Sequence, residues 1–207
     1  MTAPKVFLAT NNAHKLAELE RIIDEQALNI TVATMADVAQ YPEPDETELT
    51  FAGNALIKAR AGCEHTGLVS LADDSGLCVD ALCGMPGVRS SRWAGPGHDD
   101  LANLDLVLRQ IDDVPAPRRG AQFKAVVALV TPDGREFTFE GVMNGRLALA
   151  PRGDGGFGYD PIFEADAQPA GPTRTNAELT PAEKDAISHR GQALRAMLEI
   201  LTQVMGL

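Results

Sequence analysis

The chain has 207 residues, of which 44% are hydrophobic and 23% are charged. This composition is typical of a folded globular protein, excludes a disordered or fibrous chain, and predicts one domain over residues 1–207. With 18 basic and 29 acidic residues the net charge is −11, which excludes a broad basic surface for long nucleic acid or for an anionic membrane.

The first half of the chain predicts strands that alternate with helices. Apolar residues recur at helical spacing in two segments, while shorter apolar runs indicate strands. In chain order the predicted elements are a strand at residues 6–9, a polar turn at 10–12, a helix with Leu16, Leu19, Ile22 and Ile23 on one face, a strand at 30–33, an exposed acidic loop at 41–48, and a helix at about 50–66.

The second half adds a hairpin and helical C-terminal segments. In chain order we predict a strand at residues 68–72, a polar turn at 73–76, an apolar run at 77–82, a helix at about 99–110, hairpin strands at 123–130 and 136–140, a glycine-rich loop at 153–158, a helix after Thr180, and an amphipathic helix at 194–204. This order predicts an α/β fold with a mixed twisted central sheet flanked by helices. A chain of this length fits one domain, or one domain split into two lobes across a cleft.

The cysteines and the N-terminus bear on location. Cys63, Cys78 and Cys83 form no CxxC pair and have no neighbouring histidine at metal-binding spacing, which predicts free thiols in a reducing cytosol. The apolar stretch Val6–Ala9 is too short for a signal peptide, and no apolar run approaches the length of a membrane span. We therefore expect a soluble protein of the cytoplasm.

The segment Thr10-Asn11-Asn12-Ala13-His14-Lys15 lies where a predicted strand meets a predicted helix. A helix start presents unpaired N–H groups and the positive end of the helix dipole, and here a hydroxyl, two amides and a lysine join them. Such a cradle holds phosphate even in an acidic protein. The segment lacks the glycines of a P-loop, so a well-capped helix with a solvated lysine explains the same residues.

Two adjacent carboxylates occur in the run Asp73-Asp74-Ser75-Gly76, at the end of a predicted strand. Adjacent strand residues point to opposite faces, but a turn at Ser75-Gly76 would bring both carboxylates towards one Mg²⁺ ion, which binds such oxygens beside substrate phosphates. A plain acidic turn is the alternative. One acid of the preceding loop could complete the metal site, and spacing does not choose it among four candidates: Glu43, Asp45, Glu46 and Glu48.

The run Gly153–Asp160 combines four glycines with two aromatic and two acidic residues. A ligand loop that stacks on a ring and lets backbone approach closely needs such residues. Further on, Lys184, His189 and Arg190 lie near a helix junction, where they could bind phosphate or a base carbonyl; a solvated helix face is the alternative. A phosphate cradle, paired acids for Mg²⁺, a glycine-rich loop with aromatic residues and a cluster of lysine, histidine and arginine are together the components of a nucleoside triphosphate site.

From Lys5 to the last helix, the chain resembles the Ham1-like family, the non-canonical purine NTP pyrophosphatases, also called the inosine triphosphate pyrophosphatase family. Three motifs carry most of the resemblance: Ala72-Asp73-Asp74-Ser75-Gly76-Leu77, Gly155-Gly156-Phe157-Gly158-Tyr159-Asp160-Pro161, and Glu183-Lys184 followed by Ser188-His189-Arg190-Gly191. Two supporting patterns are Thr10, Asn12 and Lys15, and Thr50-Phe51 with Asn54-Ala55 and Lys58-Ala59.

The resemblance implies Mg²⁺-dependent hydrolysis of dITP, ITP and XTP to the nucleoside monophosphate and pyrophosphate, which cleanses the nucleotide pool of deaminated purines. In such enzymes a water attacks the α-phosphorus and pyrophosphate leaves. The resemblance also implies a homodimer. A pyrophosphatase of another nucleotide-pool family, a nucleotide sensor without turnover, and a structural protein with acidic turns are the alternatives.

Roles for individual residues also follow from the resemblance. It implies Asp74 as general base and magnesium ligand and Glu46 as a second carboxylate, with Asp73 close by and the register within Asp45-Glu46 open by one residue. The substrate-binding residues that it implies are Thr10, Asn11, Asn12, Ala13, His14 and Lys15 for the triphosphate, Ser75, Phe157 stacked on the purine, Gly158, Tyr159 and Asp160 in its pocket, and Lys184, His189 and Arg190 for base and phosphates.

Selectivity has a physical rationale in this scheme. Donors from His189 or Arg190 would pair with the 6-carbonyl of hypoxanthine and xanthine and oppose the amino group of adenine, whereas rejection of guanine must depend on its 2-position. Three positions depart from the family pattern: Asn11 where glycine is usual, Gly53 where an acid is usual, and Met143 where tryptophan is usual.

Overall fold

The computed structural model describes residues 3–39 and 41–207. Within these residues the helices are α1 (Ala13–Glu25), α2 (Phe51–Thr66), α3 (Asp100–Gln110), α4 (Pro181–Ile187) and α5 (His189–Met205). The strands are β1 (Lys5–Leu8), β2 (Thr31–Ala33), β3 (Val69–Val79), β4 (Gly120–Val130), β5 (Glu136–Leu147) and β6 (Phe163–Ala165). None of the helices among the described residues is both long and apolar enough to cross a membrane.

The strands form one mixed sheet in the order β2-β1-β3-β4-β5-β6. Strand β1 runs parallel to both β2 and β3, with a helix in each connection, whereas β6 is antiparallel to β5. Parallel neighbours need such helical crossovers, and antiparallel ones do not. The predicted α/β fold, a mixed sheet flanked by helices, is confirmed.

The described residues divide into two compact units. The first comprises the residues up to Asp74 together with Ala125–Gly141 and Arg190–Leu207, and the second comprises Ser75–Lys124 with Val142–His189. The predicted two lobes correspond to these units. The cleft between them, and a single domain over residues 1–207, stay predictions.

The core of the first unit follows from the strand and helix periods of the sequence. Strand β1 alternates its side chains, so Val6 and Leu8 pack in one cluster and Phe7 in another. The first cluster adds the apolar faces of α1 and α5, with Leu19, Ile22, Leu194, Met197 and Leu201 fully or almost fully buried. The second collects small residues of α2, including Ala55 and Ala59.

The second unit has its own core. It is built from β3, α3, β4, β5 and β6, with Leu77, Leu104, Phe123, Leu147 and Phe163 among its buried members. Met143 also belongs to this core and is 3% exposed, so the position that departs from the family pattern is a packing position.

The structure corrects one prediction that matters for the site. The expected polar turn at residues 73–76 is wrong, because β3 continues without interruption from Val69 to Val79. Polar residues are tolerated inside this buried strand because ion pairs and hydrogen bonds satisfy both carboxylates. Glycine is required at position 76 of the strand, because a Cβ there would overlap the carbonyl oxygen of Gly87.

Other differences are in lengths and boundaries. Strand β5 extends to Leu147, beyond the predicted end at residue 140, and the short strand β6 was not predicted. The C-terminal helical region is interrupted at Ser188, which separates α4 from α5. The capping box of α4 at Thr180 and Glu183 is confirmed, with each side chain bonded to the backbone of the other residue.

Candidate active site

In the first unit, the parallel pairing of β1 and β3 brings two sequence motifs together. Leu8 lies opposite Leu71, and the N–H of Ala9 donates to the carbonyl of Leu71 at 2.8 Å. The chain after β1 therefore begins its turn beside Asp73 and Asp74. Ligand sites in α/β sheets form at the carboxyl ends of parallel strands in this way.

The segment Thr10–Lys15 forms the start of α1. The Asn12 side chain caps the helix by accepting from the N–H groups of His14 at 2.9 Å and Lys15 at 3.4 Å. The helix is therefore well capped, as the alternative interpretation of this segment predicted. That interpretation also predicted a solvated Lys15, and this part is wrong. The side chain of Lys15 is only 16% exposed, and its ammonium lies 3.0 Å from a carboxylate oxygen of Asp73.

Asp73 is the centre of a buried ion network. Its second oxygen accepts from Nε of Arg190 at 2.9 Å, and Nη1 of Arg190 donates to Glu18 at 2.9 Å. Burial raises the pKa of Asp73, but the neighbouring Lys15 and Arg190 cations outweigh it and hold the pKa of this carboxyl well below its usual range. Asp73 therefore stays ionised and holds the two cations in place.

Asp74 has different partners. Nδ2 of Asn54 donates to one of its oxygens at 3.1 Å, and Nζ of Lys58 lies 3.6 Å from the other. Burial raises the pKa of Asp74, and the charge of Glu46 adds to this effect against the opposing charge of Lys58. A carboxylate with a raised pKa is a better proton acceptor than an ordinary one.

Glu46 reaches the same lysine. Nζ of Lys58 donates to Oε1 of Glu46 at 2.8 Å, so Lys58 bridges Glu46 and Asp74. Among the other loop acids, Glu43 instead accepts from Nδ2 of Asn11 at 3.0 Å, and the N–H of Glu48 donates to Asn54 at 2.9 Å. These contacts single out Glu46 as the loop acid that shares a cation with Asp74.

The donor set around Lys58 fits a magnesium ion that also binds phosphate. Two carboxylates converge on one positive charge, and Mg²⁺ is commonly held by one or two carboxylates plus substrate phosphates. In the described part of the chain, no group of three or more histidine, cysteine, aspartate and glutamate side chains forms a metal cage. Asp73 does not join the set, because strand alternation directs it to Lys15 and Arg190.

In the second unit, the glycine-rich loop presents an aromatic ring. Phe157 is 40% exposed, and Nζ of Lys184 lies 4.9 Å from the centre of its ring. Asp160 is 2% exposed and accepts from the N–H of Phe157 at 2.8 Å and from Nδ2 of Asn176 at 3.3 Å. Lys184 donates to the same carboxylate, so Asp160 ties the ring and the cation together.

Two glycines of this loop are required by its backbone. Gly156 has a φ of +71°, and a Cβ there would overlap the carboxylate of Asp160. Gly158 has a φ of +61°, and its N–H donates to Asp100 at 2.9 Å. Side chains at either position would be strained, so glycine lets the loop close over Asp160 while Phe157 stays exposed.

Tyr159 and His189 are buried in the second unit. The hydroxyl of Tyr159 donates to the carbonyl of Ser90 at 2.8 Å, and burial raises its pKa, so it keeps its proton. His189 is 8% exposed, and its ring stacks on Phe123 with centroids 5.1 Å apart. A solvated helix face is therefore wrong for both His189 and Arg190, the latter being 6% exposed.

Several residues in these clusters were not predicted to have a role. Glu18 holds Arg190, Asn54 holds Asp74, and Asn176 holds Asp160. Asn54 and Lys58 carried part of the family resemblance, but no function followed from it. The available signal was weak in every case, because a polar residue on a helix or in a turn is usually solvated.

The fold and these clusters define a class of protein: a mixed α/β protein in which carboxylates and a lysine lie beside a capped helix start that follows the parallel strand β1. Residues 6–200 match the Ham1 family. The chain belongs to this family.

Relatives cover essentially the whole chain. A dITP/XTP pyrophosphatase of Corynebacterium efficiens is 54% identical over 205 residues, which are 98% of this chain and 99% of that protein. A dITP/XTP pyrophosphatase of Mycobacteroides abscessus is 51% identical over 204 residues, 98% of this chain and 97% of that protein. A solved structure of a HAM1 protein from Coxiella burnetii is 41% identical, with a TM-score of 0.85 over 97% of this chain and 99% of that one.

Proposed function

We propose that the protein hydrolyses dITP, ITP and XTP to the nucleoside monophosphate and pyrophosphate. The observation that carries the proposal is the cluster of Asp74, Glu46 and Lys58 beside a helix start at the end of β1, in which Asp74 and Lys58 are buried. The names of relatives that match nearly the full chain support it. Removing deaminated purine nucleotides from the nucleotide pool is the role that follows.

In this proposal Asp74 is the general base. Its free oxygen lone pairs accept a proton from a water molecule while the water oxygen forms a bond to the α-phosphorus. The bond between the α-phosphorus and the bridging oxygen then breaks, and pyrophosphate leaves with that oxygen. Asn54 holds the carboxylate in position through its 3.1 Å hydrogen bond, and the raised pKa of Asp74 favours proton transfer.

Glu46 and Asp74 are the residues that would hold Mg²⁺, with phosphate oxygens completing its shell. The ion supplies positive charge that stabilises the developing charge on the leaving phosphate oxygens. Lys15 provides a second positive charge, held beside the helix start by Asp73 at 3.0 Å. The cradle Thr10–Lys15 would then bind the triphosphate through its remaining polar groups and this lysine.

The second unit supplies the groups for the base. The exposed ring of Phe157 offers a face for stacking on a purine, and Lys184 and Asp160 hold it in place. His189 supplies a donor for the 6-carbonyl of hypoxanthine or xanthine, which adenine lacks. The guanidinium of Arg190 donates to Asp73 and Glu18, so we expect Arg190 to affect substrate binding mainly by holding Asp73 in place.

The test is pyrophosphate release from ITP, XTP, dITP, ATP and GTP, each with and without Mg²⁺. We expect fast release from the first three nucleotides in the presence of Mg²⁺ and slow release from ATP and GTP. Equal release from all five would contradict the assigned base site and favour a pyrophosphatase of another nucleotide-pool family. Binding without release from any of them would favour a nucleotide sensor.

A homodimer in the cytoplasm completes the proposal. Cys63, Cys78 and Cys83 are free thiols in the structure, which suits a reducing compartment. The homodimer follows from the family resemblance. Light scattering of the purified protein checks it, since a mass equal to one chain would contradict it.

A further inference from the structure

The geometry points to Ser90 as a positioning residue that couples recognition of the base to the reaction at the phosphate. Ser90 connects the strand segment Ser75–Leu77 to Tyr159 of the base loop, the glycine-rich loop that carries Phe157. This inference rests on the proposed function and deepens it, because it concerns the contacts that hold Ser75 and the base loop within the second unit.

The side chain of Ser90 holds strand β3. Its Oγ accepts from the N–H of Leu77 at 2.9 Å and donates to the carbonyl of Gly87 at 2.6 Å. Ser90 is 6% exposed and lies in the short 3₁₀ helix Gly87–Arg92. Its hydroxyl therefore makes a buried connection between this helix and the strand.

Gly76 shows how close that approach is. A Cβ at this position would overlap both the carbonyl of Gly87 and the hydroxyl of Ser90. The strand and the 3₁₀ helix are thus in direct backbone contact one residue after Ser75. A small displacement of Ser90 is transmitted to the strand, because packed interiors leave no space to absorb it.

The main chain of Ser90 holds the base loop. Its carbonyl accepts from the hydroxyl of Tyr159 at 2.8 Å, and Tyr159 is 5% exposed. On either side of Tyr159, the loop is fixed by the N–H of Gly158 on Asp100 and by the buried carboxylate of Asp160. Tyr159 is therefore the point at which the loop that carries Phe157 is tied to Ser90.

The two connections end on residues with different predicted tasks. Ser75 is a predicted substrate contact and follows the general base Asp74 directly in β3, whereas Phe157 stacks on the purine. Binding energy from a remote part of a substrate raises kcat when it orients the reacting groups. Misplacement by about 1 Å can cost roughly a hundredfold in rate. Ser90 is placed to convert a correctly seated base into a correctly placed Ser75.

The experiment compares five proteins: the unsubstituted chain, Ser90→Ala, Tyr159→Phe, the double variant and the control Ser91→Ala. Each single substitution breaks one side of the bridge and leaves the other intact. Ser91→Ala is the matched control, because Ser91 is the next residue of the same 3₁₀ helix and its side chain is exposed. The measurements are kcat and KM for ITP and for ATP, with Mg²⁺, and the binding of IMP by calorimetry.

We expect Ser90→Ala and Tyr159→Phe each to lower kcat for ITP by about tenfold or more. For Ser90→Ala, at a residue that is not among the predicted substrate-binding residues, KM and IMP binding change by less than about threefold. The kcat of Ser90→Ala for ATP, whose base is not seated in the loop, stays within about twofold. Because both residues act in one path, the double variant loses no more than the poorer single variant. Ser91→Ala behaves as the unsubstituted chain.

A merely structural role for Ser90 gives a different result. General damage lowers turnover of ITP and ATP by the same factor, weakens IMP binding and adds up in the double variant; any of these outcomes overturns the inference. If Ser90→Ala does not fold, Tyr159→Phe decides through kcat for ITP, and an unchanged kcat overturns the inference. Failure of the unsubstituted chain to release pyrophosphate from ITP would instead refute the proposed function.

Discussion

Asp73 and Asp74 are neighbours in one strand, yet the structure places them in opposite environments. Asp73 lies between Lys15 and Arg190, and its pKa is lowered; Asp74 lies beside Asn54 and Lys58, and its pKa is raised. Carboxylates whose pKa values are pushed apart in this way commonly have separate tasks.

The difference arises from strand geometry. Successive side chains of a strand point to opposite faces, so an Asp-Asp pair in β3 contacts two different sets of partners. One carboxylate meets two cations and becomes a fixed anion that organises them. The other meets an amide, a lysine and a second carboxylate, and its raised pKa suits the general base that we propose. The comparison teaches that a pair of acids in sequence need not form a pair in space.

The largest effect is expected for Asp74→Asn. The amide cannot accept the proton of the attacking water, so kcat for ITP should fall by about 10²- to 10⁴-fold. Pyrophosphate release measures the loss, and binding of IMP should persist. If Asp74→Asn keeps its turnover of ITP, Asp74 is not the general base, and the proposed difference in role between Asp73 and Asp74 is contradicted.

Asp73→Asn should act on stability. It leaves the buried guanidinium of Arg190 and the ammonium of Lys15 short of a counter-charge, and breaking a buried pair by removing one partner costs about 3–5 kcal/mol. Urea denaturation at neutral pH measures the loss in free energy of unfolding.

The effect of pH on this contribution has a definite sign. The folded-state pKa of Asp73 is lowered, so its stabilisation is present at a pH above its unfolded value, about 3.9, and is lost as the pH falls through the folded value. The difference between Asp73→Asn and the unsubstituted chain should therefore shrink on acidification. An equal difference at pH 7 and pH 3 would contradict the assignment.

His189→Ala tests the selectivity for ITP over ATP without changing Asp73 or Asp74. If the imidazole donates to the 6-carbonyl of the base, its loss should reduce the ratio of ITP to ATP turnover by about tenfold, the equivalent of roughly 1.4 kcal/mol. Steady-state kinetics with the two nucleotides measures the ratio. An unchanged ratio would mean that His189 acts through its stack on Phe123 rather than on the base.

The smallest effect is a gain in stability for Asp74→Asn. The folded-state pKa of Asp74 is raised, so its charged form opposes folding once the pH exceeds its unfolded value. Replacing it by a neutral amide should raise the melting temperature at pH 7, by up to about 4 °C for roughly 1 kcal/mol. A lower melting temperature would show that Asp74 contributes to the fold as Asp73 does.

Regular elements and their apolar faces could be predicted from the sequence. The spacing of Leu16, Leu19, Ile22 and Ile23 predicts α1, and the structure has this helix at Ala13–Glu25. The hairpin turn at Asp133-Gly134 and the capping box at Thr180 were likewise predictable, because turns and caps depend on a few neighbouring residues. These signals are local, so one sequence is enough to read them.

The candidate site could be predicted only in part. Motifs predict roles for Asp74, Phe157 and Lys184, which stay predictions, and the polar run at 73–76 indicated a turn that the structure does not have. Local propensity favours a turn for Asp-Asp-Ser-Gly, whereas tertiary partners such as Arg190, 117 residues away from Asp73, stabilise these residues inside a strand.

By itself, the sequence determined the fold class, most of the helices and strands, and the residue types at the candidate site, because these depend on local pattern and composition. Tertiary structure alone decided the partners of each charge: Lys15 and Arg190 for Asp73, and Lys58 for both Asp74 and Glu46. Electrostatic interactions depend on distance and burial, and both are properties of the packed chain.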